Sequence, residues 1–141
     1  MNRQPPRKPS RTASTRGRQL RRLVLDDDPL RLAHFRERLP GCVTVSTYAD
    51  AIAALRGRRF SEVYLDHDIA SVRTGADVAA WMATHLPARK RPRLVVVHSV
   101  NKRGALDMRT TLEAAGFVVE RRPFESGPGS AAPDAPARTT R

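Results

Sequence analysis

Two apolar runs of the chain end in acidic residues: LVLDDD at residues 23–28 and VYLDHD at residues 63–68. Each run indicates a buried strand that is followed at once by carboxylates. In an open α/β sheet the carboxyl ends of parallel strands share one edge, and ligands bind at that edge. If the two strands are parallel neighbours, their acidic side chains meet in one pocket.

Carboxylates gathered in one pocket repel each other unless protons or a hard cation neutralise them. We therefore expect Asp26, Asp27 and Asp66 to form a site for a divalent metal. Asp28 directly precedes Pro29, which is the pattern of a helix N-cap followed by proline at the first helical position. For each acid alone, a helix cap or a solvated loop residue is the alternative.

Strand-like and helix-like segments alternate between residues 22 and 124. The predicted strands are 23–26, 42–45, 62–66, 93–99 and 117–121, and the predicted helices are 29–39, 47–57, 74–86 and 101–116. Strands that alternate with helices of about a dozen residues form right-handed βαβ units and a parallel sheet. The pattern predicts a flavodoxin-like, three-layer α/β sandwich with about four helices and a five-stranded parallel sheet in the order 2-1-3-4-5.

The fourth and fifth predicted strands bring further polar residues to the same edge. His98 and Ser99 end the fourth strand, Asn101 follows two residues later, and Arg122 ends the fifth. Successive side chains of a strand face opposite ways, so His98 and Ser99 share the pocket only if the strand has ended before them. An imidazole there moves protons near neutral pH or favours a transition metal. Arg122 suits phosphate oxygens, whereas Asn101 is equally well explained as a helix cap.

The net charge of +12 is unevenly distributed, because residues 1–22 contain eight Arg or Lys residues and no acid. We expect a disordered basic tail over residues 1–21, a folded domain over 22–124, and a second disordered tail, rich in Gly, Pro and Ala, over 125–141. The basic tail would attract RNA, and a solvated extension is the alternative. The single Cys42 excludes an intramolecular disulfide, and together with the lack of a membrane span or secretory signal it indicates a cytoplasmic protein.

The motifs resemble those of response-regulator receiver domains. The matching residues are the acidic pair Asp26–Asp27 after strand one, Asp66 after strand three, Ser99 after strand four, and Arg122 before Pro123 after strand five. The resemblance implies that Asp66 accepts a phosphoryl group with the help of Mg²⁺. The chain departs from this pattern in having Arg122 where a lysine is expected, and in adding His67 and His98.

These departures are similar to the cyclic-phosphate processing receiver domains, a divergent family of the same fold. Four motifs occur in the right order: LDDD at 25–28, LDHD at 65–68, TGADV at 74–78 and HSVN at 98–101. The similarity extends over residues 22–121. It implies a role in handling cyclic phosphates, either RNA 2′,3′-cyclic ends or cyclic nucleotides, in RNA repair or conflict systems.

The resemblance and the residues together give three hypotheses. In the leading one, the domain processes a cyclic-phosphate or nucleotide substrate, and Asp26, Asp27 and Asp66 bind Mg²⁺ or Mn²⁺. The catalytic residues are Asp66, His67 and His98. The residues that orient the phosphate are Ser99, Asn101 and Arg122. In the second, the domain is a signalling receiver phosphorylated on Asp66. In the third, it senses a phosphate or nucleotide without turnover. The sequence assigns neither the general acid and base between the two histidines nor the oligomeric state.

Overall fold

The computed structural model describes residues 20–124, so the two predicted tails lie almost entirely outside it. Five strands form one sheet: β1 (Arg22–Leu25), β2 (Val43–Val45), β3 (Glu62–Leu65), β4 (Leu94–Val97) and β5 (Val119–Arg121). The connecting helices are α1 (Pro29–Arg38), α2 (Tyr48–Gly57), α3 (Gly75–His85) and α4 (Lys102–Ala114), and a short 3₁₀ helix, Ala88–Lys90, precedes β4. Within these residues, every helix is too short or too polar to cross a membrane.

The sheet is parallel throughout and has the order β2-β1-β3-β4-β5, which confirms the predicted topology. Leu25 pairs with Leu65, and Leu65 pairs with Val97. Because these three residues are the last of β1, β3 and β4, the three strands end at the same level. The residues that follow them, among them Asp26 and Asp66, therefore lie side by side at one edge.

Each strand contributes alternate side chains to two hydrophobic layers, as the pleat requires. One layer contains Leu25, Leu65 and Val97 and packs against α2, α3 and α4. The other layer contains Val24, Tyr64 and Val96 and packs against Leu32 and Phe35 of α1 and against Leu39, which caps the end of that helix. Helices on both faces of the sheet give the three-layer sandwich that the sequence predicts.

The last two strands are shorter than predicted. β4 ends at Val97 rather than Ser99, and β5 begins at Val119 rather than Phe117. Phe117 is buried beside the end of α4, and its N–H donates to the carbonyl of Leu112 at 3.0 Å. Three of the residues added in error, Phe117 before β5 and His98 and Ser99 after β4, are buried loop residues, and the sequence alone does not separate these from strand residues.

A capping box starts α3, as the sequence TGAD predicts. The Thr74 hydroxyl accepts a hydrogen bond from the N–H of Ala76 at 3.1 Å, and the Asp77 carboxylate accepts one from the N–H of Thr74 at 2.8 Å. These bonds satisfy helix N–H groups that have no partner within the helix. Asp77 is therefore explained by capping, and the start of α3 is fixed close to the end of β3.

Thr74→Ala should lower the free energy of unfolding by about 1 kcal/mol, because it removes this cap. Thr84→Ala is the matched control, since Thr84 is exposed and its described hydroxyl contacts all lie within α3, with the carbonyls of Ala80 and Trp81 and Nδ1 of His85. We expect that control to be neutral or slightly stabilising. Urea denaturation followed by circular dichroism measures both variants, and equal stability of the two would contradict the capping role of Thr74.

Candidate functional site

Asp26 is the centre of the site, and its side chain is fully buried directly after β1. Its Oδ1 accepts hydrogen bonds from the N–H of Asp28 and from Nη2 of Arg31, both at 2.9 Å. Its Oδ2 lies 2.9 Å from Nε of Arg31 and 2.9 Å from Nε2 of His98. A carboxylate offers about four acceptor positions, and these four contacts occupy all of them.

The environment of Asp26 keeps it ionised. Burial acts to raise the pKa of Asp26, but hydrogen bonds from His98, Arg31 and the Asp28 amide outweigh burial and lower the pKa to about 2. A carboxyl group whose pKa is lowered on folding stabilises the fold above its ordinary pKa, and this stabilisation is lost as the pH falls through the folded value. Asp26 is therefore a permanent anion at neutral pH.

Asp66, directly after β3, is also buried but is less fully bonded. Its Oδ1 accepts a hydrogen bond from the N–H of His67 at 2.9 Å, and its Oδ2 lies 3.3 Å from Nη2 of Arg31. Burial raises the pKa of Asp66, and the neighbouring Asp26 adds to this, while His98 and Arg31 act in the opposite direction. Asp66 is thus the buried carboxylate that has acceptor positions left for another ligand.

Arg31 is the cation of the site, and the sequence prediction missed it. Its guanidinium binds both oxygens of Asp26, approaches Asp66, and lies 3.3 Å from Asp28 through Nη1. Arg31 occupies the third position of α1, where the positive end of the helix disfavours a cation and a capping box would have glutamate. The sequence feature that could have identified Arg31 is a basic residue three positions after an N-cap aspartate, where an acidic residue is expected.

His98 contacts Asp26 from the interior. Its side chain is 2% exposed, and its ring packs on Phe35 with 4.9 Å between the centroids. Nε2 bonds to Asp26, whereas the buried Nδ1 has no hydrogen-bond partner. Placing the proton on Nε2 satisfies Asp26 and avoids burying an unpaired N–H at Nδ1. The geometry therefore assigns the Nε2–H tautomer.

Asp26, Asp66 and His98 form a group that suits a metal ion, because one ligand atom from each lies within 4.8 Å of the others. The two carboxylates fit Mg²⁺ or Mn²⁺, and the His98 imidazole adds a nitrogen ligand only when Nε2 gives up the proton that it shares with Asp26. The structure thus brings together two of the three predicted metal ligands. Asp27, the third, is exposed and lies outside this group.

His67 lies at the rim of the site. Its side chain is 17% exposed, and Nδ1 is 2.9 Å from Asp68 Oδ1 and 3.4 Å from Nδ2 of Asn101. The shorter contact assigns the Nδ1 proton to the bond with Asp68, which leaves Nε2 as a proton acceptor. The same hydrogen bond is the main cause that lowers the pKa of Asp68.

Two glycines let helices α3 and α4 approach this part of the chain. A Cβ on Gly75 would collide with the carbonyl oxygen of Asp66, and a Cβ on Gly104 would collide less severely with Cγ and Cδ2 of His67. The N–H of Gly75 also donates to the carbonyl of His67 at 2.8 Å. The first turns of the two helices therefore fix Asp66 and His67 from both sides.

The three residues predicted to orient a phosphate have different surroundings. Ser99 is buried, and its Oγ accepts the N–H of Asn101 at 3.0 Å. Asn101 caps α4, with Oδ1 accepting the N–H of Gly104 at 2.8 Å. Arg122 forms an ion pair with Glu120, two residues earlier on the same face of the sheet, which directs its guanidinium back along β5. The cation beside the acids is therefore supplied by α1.

A sheet of this order, with buried aspartates after β1 and β3, defines a receiver domain. The chain belongs to the cyclic-phosphate processing receiver domain family, whose model matches residues 21–114. The two histidines and the motifs that separate it from ordinary receivers lie within this match. No curated protein sequence matches the chain at a significant level.

Solved structures of receiver domains resemble the chain in fold. The phosphorylated cyanobacterial phytochrome response regulator RcpA is 19% identical, with a TM-score of 0.59, over 76% of this chain and 81% of that one. The Mn²⁺-bound response regulator Rcp1 is 15% identical, with a TM-score of 0.56, over 77% and 83%. The receiver domain of the sensor histidine kinase PA1611 from Pseudomonas aeruginosa PAO1, with a magnesium ion in its active site cleft, is 17% identical, with a TM-score of 0.54, over 75% and 87%. At these identities the likeness shows the fold alone.

Proposed function

We propose that the domain is a metal-dependent phosphoesterase that opens a cyclic phosphate. One observation carries the proposal: Asp66, a member of the buried group of Asp26, Asp66 and His98, is followed in the chain by a histidine, His67, whose backbone N–H bonds to Asp66 and whose ring is oriented by Asp68. The buried group forms a cation site, and the pair at the rim forms a proton-transfer site. A receiver that only accepts a phosphoryl group needs no such rim pair.

In this proposal Asp26 and Asp66 would hold Mg²⁺ or Mn²⁺, and Asp27 would add a carboxylate from the exposed side, while His98 keeps its Nε2–H bond to Asp26. The Mg²⁺ and Mn²⁺ found in the PA1611 and Rcp1 receivers support these two metals. The ion would supply Lewis-acid stabilisation of the charge on the phosphate. His98, buried against Phe35, keeps Asp26 in place from the interior.

His67 acts as the general base for the attacking water. Water attacks phosphorus, one cyclic P–O ester bond breaks, and the ring opens to a phosphomonoester. Nε2 of His67 accepts the proton of the attacking water, while Asp68 keeps Nδ1–H in place and stabilises the imidazolium that forms. The departing sugar oxygen takes a proton from solvent water and the His67 imidazolium returns its proton to the solvent, so the net reaction adds one water. Ser99 and Asn101, which follow β4, would orient the phosphate.

The substrate class is a nucleotide cyclic phosphate, either an RNA 2′,3′-cyclic end or a cyclic mononucleotide. The eight basic residues in positions 1–22 favour RNA, because they would neutralise backbone phosphates. Such contacts position RNA without selecting the reaction. A cytoplasmic location is part of the proposal, since both candidate substrates are intracellular nucleotides and the single Cys42 needs no oxidising compartment.

The decisive experiment incubates the purified full chain and Mg²⁺ or Mn²⁺ with an RNA oligonucleotide ending in a 2′,3′-cyclic phosphate, and in parallel with a cyclic mononucleotide. Mass spectrometry should detect the ring-opened product. Asp66→Ala should reduce turnover about 100-fold or more, whereas Asp107→Ala, which removes an exposed carboxylate from α4, should not. Binding without product would favour the sensor, and no product with either metal would contradict the phosphoesterase.

A second candidate, a receiver phosphorylated on Asp66, is favoured by the acceptor positions that remain on that carboxylate. A small phosphodonor would then add one phosphoryl group to the wild type and none to Asp66→Asn. Stable labelling with no turnover of cyclic phosphates would favour this candidate over the phosphoesterase.

A further inference from the structure

Arg31 forms hydrogen bonds to the Asp26 carboxylate oxygens that a metal ion would coordinate. In the structure, Asp26 accepts four hydrogen bonds, two of them from Nε and Nη2 of Arg31. The same Nη2 lies 3.3 Å from Asp66, the second carboxylate of the cation site. A metal ion cannot be coordinated by Asp26 until one of its four donors leaves, because a carboxylate has no further acceptor position.

Only one of these donors is able to move. The N–H of Asp28 belongs to the backbone at the start of α1, and the His98 side chain is 2% exposed and packed on Phe35. Arg31, by contrast, has a long side chain that is 30% exposed. Its departure would cost no repacking of the interior.

Two groups would hold the displaced guanidinium at the mouth of the site. Asp28, whose side chain is 36% exposed, already contacts Nη1 of Arg31 at 3.3 Å. The ring of Phe124 lies 6.0 Å from Cζ of Arg31, within the range of a cation–π contact. A guanidinium held there keeps free N–H groups for a phosphate, which it binds with two parallel hydrogen bonds.

We propose that Arg31 is an exchangeable counter-cation: it neutralises Asp26 and Asp66 in the metal-free protein, and on metal binding it moves outward to bind the phosphate of the substrate. The inference rests on the metal site of the proposed function and specifies how that site is loaded. It also explains why a cation is found in the first turn of α1, where the helix dipole disfavours it. Metal and phosphate binding are thereby coupled.

The test measures Mn²⁺ binding by calorimetry in the full chain without substrate. Arg31→Gln should bind Mn²⁺ about ten-fold more tightly than the wild type, because a competing positive charge is gone. With Mn²⁺ present, the same variant should bind inorganic phosphate about ten-fold more weakly. Arg36→Gln is the matched control, since Arg36 lies on the same helix and its guanidinium contacts only the exposed Thr44 hydroxyl among its described contacts. It should leave both affinities unchanged.

An unchanged or weaker Mn²⁺ affinity of folded Arg31→Gln would overturn the exchange while leaving the metal site intact. Failure of both the wild type and Arg31→Gln to bind Mn²⁺ would overturn the metal site and the exchange together. If Arg31→Gln does not fold, NMR of the arginine Nε–H signals of the wild type, assigned with Arg31→Lys, replaces it. The Arg31 signal should shift on Mg²⁺ addition, and a saturating titration without a shift would overturn the exchange.

Discussion

Gly75→Ala should destabilise the protein by about 3 kcal/mol and disturb the site, the largest effect on stability that we expect of any single methyl group. The added Cβ would collide with the carbonyl oxygen of Asp66, which belongs to the backbone and cannot rotate away as a side chain could. The start of α3 would have to move outward. That movement would stretch the hydrogen bond from the Gly75 N–H to His67.

The control for this prediction is Gly57→Ala at the end of α2, where nothing lies within 4 Å of the added Cβ. Because alanine is the better helix former, Gly57→Ala should be neutral or stabilising by up to about 1 kcal/mol. Urea unfolding of both variants, together with Mn²⁺ calorimetry, measures stability and the site separately. A Gly75→Ala protein as stable as the wild type would show that α3 does not fix Asp66.

His67→Gln should lower kcat for cyclic-phosphate opening by about 10²–10⁴-fold, the usual contribution of a general acid or base. The affinity for Mn²⁺ should stay nearly constant, because His67 lies outside the group of Asp26, Asp66 and His98. Glutamine keeps the size and polarity of the side chain, so the packing against Gly104 is preserved as far as substitution allows. The expected pattern is a change in turnover without a change in metal loading.

His85→Gln is the control, because His85 lies at the end of α3, is exposed, and stacks on Trp81 at 5.1 Å. It should leave kcat unchanged. Asp68→Asn should fall between the two, since it weakens the bond that orients the His67 ring without removing the ring. Equal loss of turnover and of Mn²⁺ affinity in His67→Gln would instead make His67 a metal ligand.

The sequence predicts the sheet order and the position of Asp26 and Asp66 because strand ends are marked by apolar runs that stop at acids. It does not predict the cation, since Arg31 reaches the acids from a helix whose start the sequence explains by Asp28 and Pro29 alone. Arg122 is the opposite case, a residue that the sequence predicts at the site. Its place in the sequence suits the site, but a local partner, Glu120, decides where its side chain lies.

Asp27 differs from Asp26 for a related reason. Neighbouring residues of an extended chain face opposite sides, so an acidic pair after a strand seldom delivers both carboxylates to the same depth. The structure buries Asp26 completely and leaves Asp27 exposed. Which of two adjacent acids enters the pocket depends on strand register, and register is set by pairing with β3, which lies 40 residues away in the Arg22–Glu62 pair.

Because β1, β3 and β4 end at the same level, the site has two parts. We call the residues that follow these strands the frame and the residues at the helix starts the cover. The frame, Asp26, Asp66 and His98, is carried by strands whose pairing depends on the whole core, so a change there affects folding. The cover, Arg31 and Asn101, lies at the starts of α1 and α4. Substitutions of Arg31 or Asn101 should therefore change which phosphate is admitted with less effect on folding than substitutions of Asp26, Asp66 or His98.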